Sequence, residues 1–174
     1  IVGIGFSKPL ADRFGKRNVF GAFLFLSTLC LLVFWFFPPQ AAGAAMLAQV
    51  LHGFFYGVTV PLLWAMVADV ADYSEWRNNR RATAIIFSAI LCGLKVGLSV
   101  GGALVAGILA HYGYVPDQAA QPPAALDGIR LAVSVYASLP FLLCVALLFF
   151  YEIDKAMESR IERDLAARRG GQPA

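Results

Sequence analysis

Four apolar runs, each about as long as a bilayer is thick, limit what this chain can fold into. They cover about 18–37 (NVFGAFLFLSTLCLLVFWFF), 45–67, 82–110 and 131–151. A helix rising about 1.5 Å per residue needs about 20 such residues to cross the hydrocarbon core. Each run is long enough, with some tilt. Hydrophobic residues make up 59% of the 174 positions and charged residues 14%. A soluble domain is about half apolar and about a quarter charged, so the excess confirms the membrane class. Ahead of the first run stands IVGIGFS, too short to cross, which reads as the tail of a helix that starts upstream. The expected fold is all-α and integral to the membrane, with four full spans and the end of a fifth over 1–151. Residues 152–174 form a tail expected to be a solvated helix, charged on most faces and fraying at GGQPA.

The links between the runs differ in charge. KPLADRFGKR, EWRNNRR and the tail hold all of the 14 Lys and Arg except Lys95 and Arg130. PPQAAG carries no charge, and the Pro-rich HYGYVPDQAAQPPAALDGIR carries only Arg130 as a base. The positive-inside rule places the basic links and the C-terminus in the cytoplasm. It leaves the two poorly charged links outside.

Other function classes fare badly. No polar segment is long enough for a catalytic domain with its own core. A net charge of +3, without a basic patch interleaved with aromatics, gives no case for nucleic acid. Cys30, Cys92 and Cys144 each sit inside an apolar run without metal-ligand spacing. No metal site and no cofactor is expected. An intramembrane enzyme would need a nucleophile with its base at depth, and His52 and Cys92 form no paired motif.

Three groups of residues stand out. In KPLADRFGKR, Gly15 suits a tight turn, Asp12 can cap or pair locally, and Arg13, Lys16 and Arg17 fit a cytoplasmic link. Asp69 and Asp72, spaced i, i+3, share a face at the end of the second run, and Arg80 and Arg81 precede the third. Each set lies on the side of its helix dipole that disfavours it, at a cost of about 0.3–1 kcal/mol. They are either a solvated interfacial loop or a network pairing with one another and with another part of the protein. Lys95 lies mid-run in GLKVGLSVGGALVAG. A cation there costs at least about 2.5–3.5 kcal/mol, and every acid of the chain lies at a membrane edge or outside it. Lys95 therefore calls for a wet cavity or a carboxylate beyond this chain.

The remaining signals are weaker. Gly93, Gly97 and Gly101, like Gly53 and Gly57, have the small-xxx-small spacing of close helix packing. Pro61 can kink its helix. His52 reads as a packed, hydrogen-bonded histidine, with a proton relay as the alternative. Tyr56 and Trp64 are candidates to stack on a sugar.

The basic link KPLADRFGKR resembles the loop signature of the major facilitator superfamily. ADVADYSEW, RRATAIIFSA, the mid-span Lys95 and the exit GYV resemble the glycoside–pentoside–hexuronide cation symporters within it. Asp69, Asp72, Tyr73, Glu75, Arg81 and Lys95 match that family's pattern in order and spacing. Ile90, Leu91, Cys92 and Gly93 stand before the lysine, without the polar side chains found there in melibiose-type members. The resemblance implies the C-terminal part of a twelve-helix bundle. It implies symport of a sugar or glycoside with Na⁺ or H⁺, the ion held mainly by carboxylates of the N-terminal half. The partners it implies are the lipid bilayer, a sugar or glycoside and that N-terminal half. Lys95, with Tyr56 and Trp64, would line the substrate and coupling cavity; Asp69, Asp72 and Arg81 would be gate charges on the cytoplasmic rim. Two alternatives remain: a facilitator not coupled to a cation, and a multi-span subunit that transports nothing.

Overall fold

The computed structural model describes residues 2–38, 41–80, 82–118 and 120–170. Within them every regular element is helical. The order is α1 (Val2–Phe14), α2 (Lys16–Val33), α3 (Ala42–Asn78), α4 (Thr83–His111), α5 (Pro123–Leu131), α6 (Ala137–Leu147) and α7 (Lys155–Gly170). A 3-10 turn, Phe34–Phe36, extends α2. A π turn, Ala132–Tyr136, joins α5 to α6, and a second 3-10 turn, Leu148–Phe150, ends α6. Four segments are long and apolar enough to cross a membrane: Lys16–Phe36, Ala42–Asn78, Thr83–His111 and Pro123–Phe150. The chain is a multi-pass helical membrane protein.

Each of the four apolar runs overlaps one of these helical segments, and the links between them are shorter than the sequence suggested. KPLADRFGKR is not a loop: α1 runs to Phe14, and Gly15 alone breaks the helix before α2. Gly15 has φ +84°, where a Cβ is strained, so one glycine suffices for the reversal. The second run does not stop near Val67 but continues as helix to Asn78. Asp69 and Asp72 therefore sit two turns before the helix end, and the expected dipole conflict does not arise at its last carbonyls. Asn79, left-handed at φ 51°, caps that end. The fourth span begins at Pro123, inside the stretch read as a loop. Arg130 is consequently helical. It donates to the Trp35 and Phe37 carbonyls at 2.9 and 2.8 Å, satisfying groups the end of α2 leaves open.

The core forms where α1, α2, α3 and α6 meet. Ala11, Val19, Phe20, Leu24, Val58, Leu62 and Met66 are buried there, with Phe141, Cys144 and Leu148 packed against them. At the crossing of α1 and α3, a Cβ on Gly3 would collide with the Phe54 carbonyl oxygen, and Gly57 faces it. Pro61 has no N–H to give the Gly57 carbonyl, yet α3 stays continuous through it. Ser134 and Ser138 are fully buried in and after the π turn, each bonding a carbonyl four residues back. Pro140 lies one turn beyond, where a missing donor favours such a bulge.

The tail is not a solvated helix. Ile153, Ile161 and Leu165 are buried, and α7 packs on the end of α3. Asp154 caps α7, its Oδ1 accepting from the Met157 N–H at 2.8 Å.

Candidate functional site

Two places hold charge where hydrophobic packing alone would not. The first is the basic end of the bundle, where α1 turns into α2 and meets α3 and α7. Lys16, in the first turn of α2, donates to both carboxylate oxygens of Asp69, at 2.7 and 2.8 Å. It also reaches Glu158 of α7 at 2.8 Å. Asp69 is 14% exposed and Glu158 22%, so these contacts are largely shielded from water. Asp72 lies close enough to act on Asp69 electrostatically, and Glu162 lines the same small cleft as Asp69, Asp72 and Glu158. Two carboxylates thus share one ammonium, with two more alongside. Burial first, and then Asp69 and Glu158, push the Tyr151 phenol well above its ordinary pKa, leaving it a neutral donor. Its hydroxyl lies 3.4 Å from the Met66 carbonyl.

The rest of α7 ties down the end of α3. Trp76 Nε1 donates to Asp164 at 2.8 Å, and Arg169 pairs with Glu75 at 3.0 Å. Arg168 donates to the Trp76 carbonyl at 3.2 Å and to Asn79 Oδ1 at 2.8 Å, placing a cation at a helix C-terminus. On the other side, Lys155 Nζ donates to the Asp12 carbonyl. Of the predicted residues here, Asp69 and Lys16 come together. Asp12 contributes its backbone, and Arg13 lies over the Phe14 ring at 5.2 Å. Asp72 has no hydrogen-bond partner among the described residues. Arg81 lies outside the described residues.

The tail's share, from Glu158 to Arg169, was not anticipated. The signal was present: Ile153, Met157, Ile161 and Leu165 recur every four residues, the stripe of a docked helix. Counting charges on all faces hid it.

The second place is α4. No residue of this helix is buried among the described residues. Lys95, the thirteenth residue of 29, lies about 18 Å along the axis at about 1.5 Å per residue. It is exposed and has no partner among the described residues. Gly93, Gly97 and Gly101 open onto empty space, as does Gly53. Close packing of these glycines inside this chain, the reading first favoured for them, is therefore not found; only Gly57 packs, against Gly3. Trp64 stacks on Phe87 of α4, with ring centres 6.2 Å apart. Tyr56 lies against His52 and Phe141. His52 Nδ1 sits 2.8 Å from Ser27 Oγ and 3.1 Å from the Ser27 carbonyl. Ser27 thus supplies both polar neighbours of this ring nitrogen. Among the described residues no cluster of three or more His, Cys, Asp or Glu could hold a metal.

The sequence that builds this site has counterparts among known proteins. The model of one family, MFS/sugar transport protein, matches residues 1–155. The chain belongs to that family. It is 31% identical over 95% of its length to the putative glycoside/cation symporter YagG of Escherichia coli, covering 36% of that protein. Its identity to the inner membrane symporter YicJ of the same organism is 32%, over 82% of the chain and 31% of YicJ. An isoprimeverose transporter of Lactiplantibacillus pentosus is 31% identical over 94% of the chain and 34% of its own length. These names agree with the resemblance to glycoside–pentoside–hexuronide cation symporters read from 68–95. No solved structure matches the chain significantly. The chain spans about a third of the length of these relatives.

Proposed function

We propose that this chain works within a secondary active transporter that carries a sugar or glycoside together with Na⁺ or H⁺. Lys95 is the observation that carries the reading. It stands halfway along an apolar span, exposed, on a helix of which no described residue is buried. A cation so placed calls for water or a carboxylate. An alternating-access carrier supplies both, in a cavity between two half-bundles that rock about a midplane site. The other half-bundle of such a carrier would hold the coupling ion. The relatives named as symporters support the same reading. Trp64, packed beside α4, would line the cavity with Lys95, whereas Tyr56 has the weaker claim because its ring neighbours lie on α3 and α6.

The basic end would be the cytoplasmic rim, in an inner membrane with the C-terminus inside. Asp69, held by Lys16, keeps one face of α3 fixed to α2 and α7. Asp72, without a hydrogen-bond partner among the described residues, would be the rim acid that pairs across to the other half in one state of the cycle, with Arg81 as its fellow gate charge.

The test is uptake by the full-length carrier in proteoliposomes. An imposed Na⁺ or H⁺ gradient should drive accumulation of a glycoside, and the glycoside gradient should in turn drive the ion. Equilibration without accumulation under either gradient would mark an uncoupled facilitator. No flux of any glycoside would sink the reading.

A further inference from the structure

Lys16 and Arg17 are neighbours in sequence and diverge in space. One residue along a helix turns the side chain by about 100°. Lys16 faces α3 and α7, where three carboxylate contacts occupy it. Arg17 lies instead over the seam between α2 and α6. There it lines a groove with Asn18, Gly21, Val145, Leu148 and Phe149. Arg17 is half-buried, yet among the described residues it makes one hydrogen bond, a long one of 3.4 Å to the Phe149 carbonyl. No carboxylate pairs with it among the described residues.

The groove's surroundings say what would fill it. From Leu147 the outer face of α6 continues through Leu143 to Leu139, each more than half exposed and each one turn from the next. Phe149 and Phe150 are about four-fifths exposed beside them. A ladder of this kind on a membrane span faces acyl chains. Gly21 lets α2 and α6 approach closely beside the groove, since a Cβ on it would come within 3.3 Å of Leu148 Cδ1. The groove therefore lies beside an exposed apolar ladder, and its one charged side chain, Arg17, has no carboxylate within ion-pair distance among the described residues. We propose that this groove binds an anionic phospholipid. Arg17 holds the headgroup phosphate in its planar fork, and Gly21, Val145 and Leu148 receive an acyl chain. Basic pockets between spans bind such headgroups through this combination. A zwitterionic lipid brings its own cation to the same place and gains less. The inference rests on membrane insertion and on the α2–α6 seam facing lipid in the full-length carrier, not on what the carrier transports.

Native mass spectrometry of the purified full-length carrier, titrated with phosphatidylglycerol or phosphatidylcholine, tests it. One basic residue near the headgroups is worth about 1 kcal/mol, so the first phosphatidylglycerol should bind about fivefold more tightly than phosphatidylcholine. R17Q should remove that preference. R13Q, which alters an exposed arginine at the same end, should keep it. R17K, which retains the charge if R17Q loosens the α2–α6 seam, should also keep it. Equal binding of the two lipids by the unmodified carrier overturns the proposal. So does a preference that survives in R17Q, is lost equally in R13Q, or disappears in R17K.

Discussion

Lys16 Nζ lies 2.7 Å from one oxygen of Asp69 and 2.8 Å from the other, joining the first turn of α2 to the far end of α3. Glu158 of α7 accepts from the same ammonium. One cation thus couples three elements at the basic end. Removing either partner of Lys16–Asp69 leaves a mostly shielded charge behind, and hydrogen bonds to charged groups contribute about 1.5–3 kcal/mol. D69N should therefore lower the melting temperature of the purified carrier more than E158Q, since Asp69 accepts through both oxygens and is the less exposed of the two acids. K16A and D69N should combine non-additively, with a coupling of about 0.5–3 kcal/mol. Strict additivity in the cycle would show that the pair does not hold α2 to α3.

The crossing of α1 over α3 depends on Gly3, whose Cβ would strike the backbone at Phe54. Backbone cannot swing aside as a side chain does. G3A should cost about 1–3 kcal/mol, as overpacking does. Gly5, on the same helix, has nothing within 4 Å of its Cβ position. G5A should be neutral or slightly stabilising, because alanine is the better helix former. Thermal melts of the two variants check this; equal effects would mean that the close approach is not real.

Lys95 should matter to transport and little to this chain's own packing, since none of its neighbours here bond to it. K95A should lower glycoside uptake sharply. If a carboxylate of the other half faces it, breaking that pair costs about 3–5 kcal/mol, and neutralising the right acid should recover expression. Double-mutant cycles between Lys95 and each mid-membrane acid of the full-length carrier identify the partner. Normal uptake by K95A, with additivity in every cycle, would remove Lys95 from the mechanism.

Orientation follows from the basic links and is checked by labelling. In a carrier lacking native cysteines, cysteine at Gln118 should react with an impermeant thiol reagent from outside the cell. Cysteine at Asn78, at the end of α3, should react only from inside. The reverse pattern would invert the assignment.

The sequence alone determined what depends on the transfer of each residue between water and lipid. Hydropathy marked the four spans, the basic links gathered at one end, and Lys95 stood at depth with no acid level with it. Those are local properties, legible residue by residue. Links and partners were different. The helices continue past their apolar runs to Phe14 and Asn78, because backbone hydrogen bonding does not stop where hydropathy falls. Which cation meets Asp69 was not readable, since Lys16 and Arg17 are equivalent in charge and differ only by a turn of about 100°. The crossing of α2 with α3 sends one inward and leaves the other over the seam between α2 and α6. Docking of α7 was likewise a tertiary outcome: its every-fourth-residue stripe gains stability only when the end of α3 is there to cover it. That surface exists because α3 extends, as helix, two turns beyond Asp69.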